Sequence, residues 1–166
     1  MKILHTADWH LDAPLAGHSE ENKAFLRQQL RKIPEKIANL CISEGCDLLI
    51  IAGDLFDGSY TRESLTAVHS ALSRVKIPVV ITPGNHDFCS PDSPYLKEHW
   101  PSNVHIFAQP KLESIVIDQL DCRIYGAGYT AMDCPNLIRE LRADGPEKWH
   151  IGVFHGEILA TSSYCP

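Results

Sequence analysis

Four short polar islands close four apolar runs along this chain, and they constrain the fold more than any other feature. They are Asp8-Trp9-His10, Gly53-Asp54-Leu55-Phe56-Asp57, Gly84-Asn85-His86-Asp87 and Gly152-Val153-Phe154-His155-Gly156. The runs that lead into them span residues 2–6, 47–52, 77–81 and 149–154. Short runs rich in Ile, Leu and Val read as strands. Strand ends that carry Asp, His, Asn and Asp deliver oxygen and nitrogen donors to one place. That is the donor set of hard-to-borderline divalent cations.

The stretches between the runs support this reading. Residues 23–44 carry Phe25, Leu26, Leu30, Ile33, Ile37, Leu40 and Cys41 at helical spacings of three and four, with a break expected at Pro34 and a stop at Gly45. Residues 61–74 predict a second helix with Leu65, Val68 and Leu72 on its apolar side. The order strand–helix–strand–helix–strand implies parallel neighbours joined by crossover helices. Residues 88–103 read as a long loop. The short alternating runs at 104–107, 114–117 and 122–125 read as antiparallel strands, and residues 135–142 as a short helix with Pro135 in its first turn. The expected fold class is an α/β sandwich: two facing mixed sheets with helices outside.

The length of 166 residues fits one domain. Fifteen basic residues stand against 21 acidic ones, a formal charge of −6, which argues against a broad nucleic-acid groove made by this segment alone. A phosphate substrate stays compatible, because bound cations invert the local sign. The six cysteines are Cys41, Cys46, Cys89, Cys122, Cys134 and Cys165, with no Cys-x-x-Cys pair. The chain opens Met1-Lys2-Ile3-Leu4-His5 without a long apolar leader. Free thiols in a cytoplasmic protein are therefore expected, and no run approaches membrane-spanning length.

Each island also has a plainer reading. Asp8-x-His10 alone reads as a polar strand end, although in a strand both side chains would share a face. Asp12 reads as a solvated loop residue. Asp57 reads equally as a helix-start or loop carboxylate, and Asn85-His86-Asp87 as a turn. His155 beyond a strand reads as a hydrogen-bonded loop group. Their order along the chain favours one site. His86, next to Asn85, is better placed as an acid or phosphate contact than as a ligand of the same ion.

Taken together, the four islands resemble those of the calcineurin-like metallophosphoesterase family, across essentially residues 1–166. Within it, residues 3–15 and 51–58 are most similar to the SbcD-type DNA repair nucleases. The resemblance implies two divalent metal ions, manganese first, with iron, zinc and magnesium as alternatives. It implies that Asp8 and His10 hold the first ion, that Asp54 bridges both, and that Asn85 and His155 hold the second. His86 would be the general acid or phosphate-positioning group, and Asp57 the carboxylate that orients it. The implied activity is DNA exonuclease or endonuclease cleavage in repair, with an SbcC-type ATPase partner. One departure stands out: the family pattern ends with a further Gly-His-x-His motif, and none follows His155 here. The chain is therefore expected to be an amino-terminal fragment with an incomplete second sheet. It would have weak or absent activity alone, and exposed sheet edges would invite a homodimer. The competing readings are a phosphatase or phosphodiesterase for small molecules such as nucleotides, and a non-catalytic interaction module.

Overall fold

The computed structural model describes residues 1–132 and 137–156. Its strands are β1 (Ile3–Thr6), β2 (Leu48–Ala52), β3 (Val79–Thr82), β4 (Val104–Ile106), β5 (Glu113–Ile117), β6 (Cys122–Gly126) and β7 (Trp149–Val153). The α-helices are α1 (Glu20–Leu30), α2 (Ile33–Glu44), α3 (Arg62–Arg74) and the single turn α4 (Pro94–Lys97). Among the described residues the first sheet has the order β1-β2-β3-β4 and the second β5-β6-β7.

Local chemistry sets the helix limits. Ser19 caps α1 by accepting from the Asn22 N–H, and Thr61 caps α3 by accepting from the Ser64 N–H. The break expected near Pro34 falls just before it: α1 ends at Leu30, and Pro34 sits in the first turn of α2, where its missing N–H has no bond to lose. Gly45 ends α2 in the left-handed conformation at φ 60°.

Alternate residues of β2 face opposite layers. Leu49 and Ile51 pack with Val79 and Ile81 against Ala38 and Cys41 of α2 and Leu65, Val68 and Leu72 of α3. Leu48, Ile50 and Ala52 pack with Val80 against Ile117, Cys122, Ile124 and Val153 of the second sheet. A strand buried on both faces needs the near-continuous apolar run seen at 48–52. Each fully buried Leu or Ile there contributes roughly 1.5–3 kcal/mol.

Strand direction departs from expectation in the second half. β4 runs parallel to β3, and β7 runs parallel to β6; β5 and β6 form the antiparallel pair. Connection length decides this. Residues 83–103 and 127–148 are long enough for a crossover, whereas residues 118–121 allow only a tight reversal. The first sheet is thus parallel throughout and the second mixed. Within the expected loop 88–103 lies the short α4. Leu137–Glu140 form a 3-10 turn, while Pro135, the expected start of a helix, lies outside the described residues. Cys41, Cys46, Cys89 and Cys122 are free and buried; Cys134 and Cys165 lie outside the described residues. No helix is long and apolar enough to cross a membrane among the described residues.

At the end of the first sheet remote from the islands, Asn103 closes the connection into β3. Its Nδ2 donates to Val75 O at 2.7 Å and Ile77 O at 2.9 Å, and its carbonyl accepts from Val79 N at 2.8 Å. Replacing Asn103 with Ala leaves half-buried carbonyls without a donor and is expected to lower unfolding free energy by about 1–3 kcal/mol. Urea denaturation measures it; an unchanged midpoint would contradict this role.

Candidate metal centre

Because β1, β2 and β3 are parallel, their carboxyl ends lie side by side, the position where open α/β sheets collect ligands. The loops beyond them are tied together. Asp8 N donates to Gly53 O at 3.1 Å, His10 N to Asp54 O at 2.9 Å and Leu11 N to Leu55 O at 3.1 Å. Gly58 N donates to His86 O at 2.9 Å, linking the second loop to the third. From the second sheet, the residues after β7 bring His155 across to Ala52 O, 3.0 Å from its Nδ1.

Asp8 and His10 do not share a face by strand alternation, as the sequence suggested. β1 ends at Thr6, and Asp8 and His10 take left-handed conformations at φ 54° and 44°. Asp54 does the same at φ 51°. Three of the six non-glycine residues with positive φ among the described residues are thus expected ligands. Such conformations cost of order 1–3 kcal/mol each and collect where function demands them. Two glycines make the close approach possible. A Cβ on Gly53 would overlap the His155 ring, and one on Gly84 would overlap the Asp54 carboxylate.

Asp54, 3% exposed, is the centre of the cluster. Its Oδ2 lies 3.7 Å from His10 Nε2 and 3.3 Å from His155 Nε2. Its Oδ1 accepts from the His86 N–H at 2.9 Å. Asp8 Oδ1 lies 3.9 Å from His10 Nε2, and Asn85 Oδ1 lies 3.0 Å from His155 Nε2. Asp57 Oδ1 lies 2.6 Å from His86 Nδ1 and 3.3 Å from His10 Nδ1. All seven expected residues come together at one sheet end. The donors of Asp8, His10 and Asp54, and separately of His10, Asp57 and His86, are close enough to share an ion.

The donor chemistry fits a divalent cation. Carboxylate oxygens, an amide oxygen and imidazole nitrogens converge, and the two carboxylates Asp8 and Asp54 bring negative charge to one cleft. Nδ1 of His155 is committed to Ala52 O and that of His10 faces Asp57, so each imidazole turns Nε2 to the centre. The floor is buried, and the rim is open: the side chains of Asp8 and His86 are 59% and 46% exposed.

The profile of calcineurin-like phosphoesterases matches residues 1–165. This chain belongs to the calcineurin-like phosphoesterase family. Metallophosphoesterases use divalent metal ions, and the clustered His and Asp donors are arranged to take them. A Bacillus subtilis (strain 168) relative, "Uncharacterized metallophosphoesterase YhaO", is 30% identical over 182 residues, covering 100% of this chain and 44% of its own length. The SbcD component of the nuclease SbcCD of Staphylococcus epidermidis is 33% identical over 121 residues, covering 69% of this chain and 30% of its own. The same component of the nuclease SbcCD of Rhodobacter capsulatus is 36% identical over 95 residues, covering 52% and 22%. The chain thus spans less than half the length of these relatives.

One residue read as solvated from sequence is an anchor. Asp12 Oδ2 accepts from Thr61 N at 2.7 Å, and its Oδ1 accepts from Ser64 Oγ at 2.9 Å and Arg31 Nη2 at 3.3 Å. Burial would raise its carboxyl, but these donors outweigh it and hold it low. It thereby pins the loop bearing Asp8 and His10 to the end of α1 and the start of α3. No periodicity marks it; its position two residues past His10 is the one signal.

Asp54 and His155 hold each other charged. The hydrogen bond to Asp54 raises His155 to about 9 against the opposing effect of burial. Burial would raise Asp54, but bonds from His155 and the His86 N–H hold it below the usual carboxylate range. The raised His155 value makes this pair fully stabilising below 6.5 and lost as pH rises through about 9. The lowered Asp54 value removes it as pH falls below that group's reduced titration range. A divalent cation held through His155 Nε2 would have to displace its proton. Affinity for such a cation is then expected to rise about tenfold per pH unit from pH 7 towards 9 with release of one proton. Calorimetry in buffers of different ionisation heat measures both; a pH-independent affinity would contradict it.

Proposed function

We propose that this chain carries the metal-holding half of a phosphodiester hydrolase whose substrate is DNA, of the SbcD type. The observation that carries the reading is the placement of Asp54 between two donor groups. Asp8 and His10 flank one side, Asn85 and His155 the other. In this proposal Asp8, His10 and Asp54 hold one ion, and Asp54, Asn85 and His155 a second, manganese being the expected metal. Bound divalent ions would supply Lewis acidity and lower the pKa of water.

The remaining work belongs to side chains. Asp57 Oδ1 lies 2.6 Å from His86 Nδ1 and orients the ring, and in the imidazolium form of His86 Nε2 carries the second proton. His86 sits on the open rim, where a phosphoester oxygen can approach, and its Nε2 proton passes to the departing alkoxide. Asp57 also faces His10 Nδ1, so one carboxylate orients both rings. Their edge-to-face contact, with centroids 5.0 Å apart, keeps His86 beside the donor cluster.

DNA as substrate and an SbcC-type partner are supported by the two nuclease relatives. The net charge of −6 favours a second reading, a small phosphodiester. A panel of linear duplex DNA, single strands and bis-p-nitrophenyl phosphate, given to the protein from its complete reading frame with manganese, separates the two. Preference for DNA is expected; cleavage of the small ester alone would favour the second reading. Replacing His86 with Ala is expected to slow DNA cleavage by about 10²–10⁴-fold. The loss on the p-nitrophenyl ester should be smaller, because that leaving group needs no proton. Unchanged DNA turnover in the His86→Ala protein would remove His86 from the mechanism.

A further inference from the structure

Asp87 closes the third island but belongs to neither donor group. It is 7% exposed, and each of its oxygens accepts from backbone. Oδ2 takes Leu55 N–H at 2.7 Å and Phe56 N–H at 3.1 Å, and Oδ1 takes Gly84 N–H at 2.7 Å. The Tyr95 hydroxyl also donates to Oδ2. Leu55 and Phe56 lie between Asp54 and Asp57; Gly84 lies directly before Asn85 and His86. One buried carboxylate therefore grips the backbone of both loops at the points where they present their functional side chains.

The grip is reciprocal. Asp54, on the second loop, accepts from the His86 N–H of the third, while Asp87, on the third, accepts from two N–H groups of the second. A carboxylate taking several charge-assisted bonds is stronger and more directional than a neutral acceptor. Behind it Tyr95 is buried against Phe56, with ring centroids 6.4 Å apart, and stacks on Trp100 at 5.7 Å. Water is thereby kept from the clasp. The second loop anchors itself through the buried Leu55 and Phe56, whereas Gly84 to Asp87 of the third loop carry no apolar side chain, so hydrogen bonds of this kind fix its place against the second.

We infer that Asp87 is a positioning residue: it sets the distance between the loop bearing Asp54 and Asp57 and the loop bearing Asn85 and His86, and so the spacing of the donor groups. This rests on the reading of those residues as a metal site. An Asn at 87 has the same shape but can accept at one end only. However it turns, its NH2 group faces at least one backbone N–H that has lost its acceptor.

The test compares Asp87→Asn with Asn103→Ala, which weakens the remote end of the sheet, in this chain. Amide hydrogen exchange is followed at His86, whose N–H bonds Asp54 and not Asp87, and manganese affinity is measured by titration. Each is normalised to the stability of the variant. The expected result is that Asp87→Asn speeds His86 exchange and weakens manganese binding by about tenfold or more, the scale of one lost charge-assisted bond. Asn103→Ala should leave both within about twofold once stability is matched. Unchanged His86 exchange in folded Asp87→Asn would overturn the inference. So would equal effects from both variants. If the unmodified chain binds no manganese, the metal reading fails, and His86 exchange alone decides the role of Asp87. If Asp87→Asn does not fold, Tyr95→Phe carries the test. Faster His86 exchange, about threefold, supports the clasp, and an unchanged rate overturns it.

Discussion

A carboxylate that cannot reach water organises this end of the molecule. Asp54 is buried, held in a left-handed conformation, and surrounded by groups that either donate to it or turn a ring nitrogen towards it. An uncompensated buried carboxylate is strongly unfavourable. Protonated His155 and the His86 amide answer that charge. A divalent cation would answer the same need with more charge.

The sheet makes that burial possible. β2 is covered by helices on one face and by the second sheet on the other, so its carboxyl end emerges from the dry interior. Parallel pairing with β1 and β3 brings two more loops to the same end, and the loops continue the ladder through backbone bonds beyond the strands. β7 adds His155 from the opposite layer. Side chains from the first sheet and one from the second thus meet around Asp54. The glycines at 53 and 84 are the clearance that lets His155 and Asp54 approach the backbone.

Much of this was legible in the residues. Apolar runs ending in Asp, His and Asn marked both the strands and the place where they converge, because donors at the carboxyl ends of parallel strands have few other geometries open to them. The helices followed from spacing, with Pro34 shifted into a first turn. Strand direction in the second half was not legible from alternation, since alternate apolar residues suit either direction; the lengths of the connections at 83–103 and 127–148 carried that information. The left-handed backbone at Asp8 and His10 was hidden, because short polar residues adopt it without a glycine to announce it. Asp12 and Asp87 were hidden for a related reason. Each stands within two residues of an expected site residue and looks like more of the same chemistry, while its oxygens are spent on groups far along the chain.

The most direct measurement is the location of manganese by anomalous scattering from crystals of this chain grown with the ion. The account predicts density bounded by Asp54, with Asp8 and His10 on one side and Asn85 and His155 on the other. Ions held elsewhere, or a site at saturating manganese in which Asp54 keeps its bond to His155 and binds nothing, would contradict it.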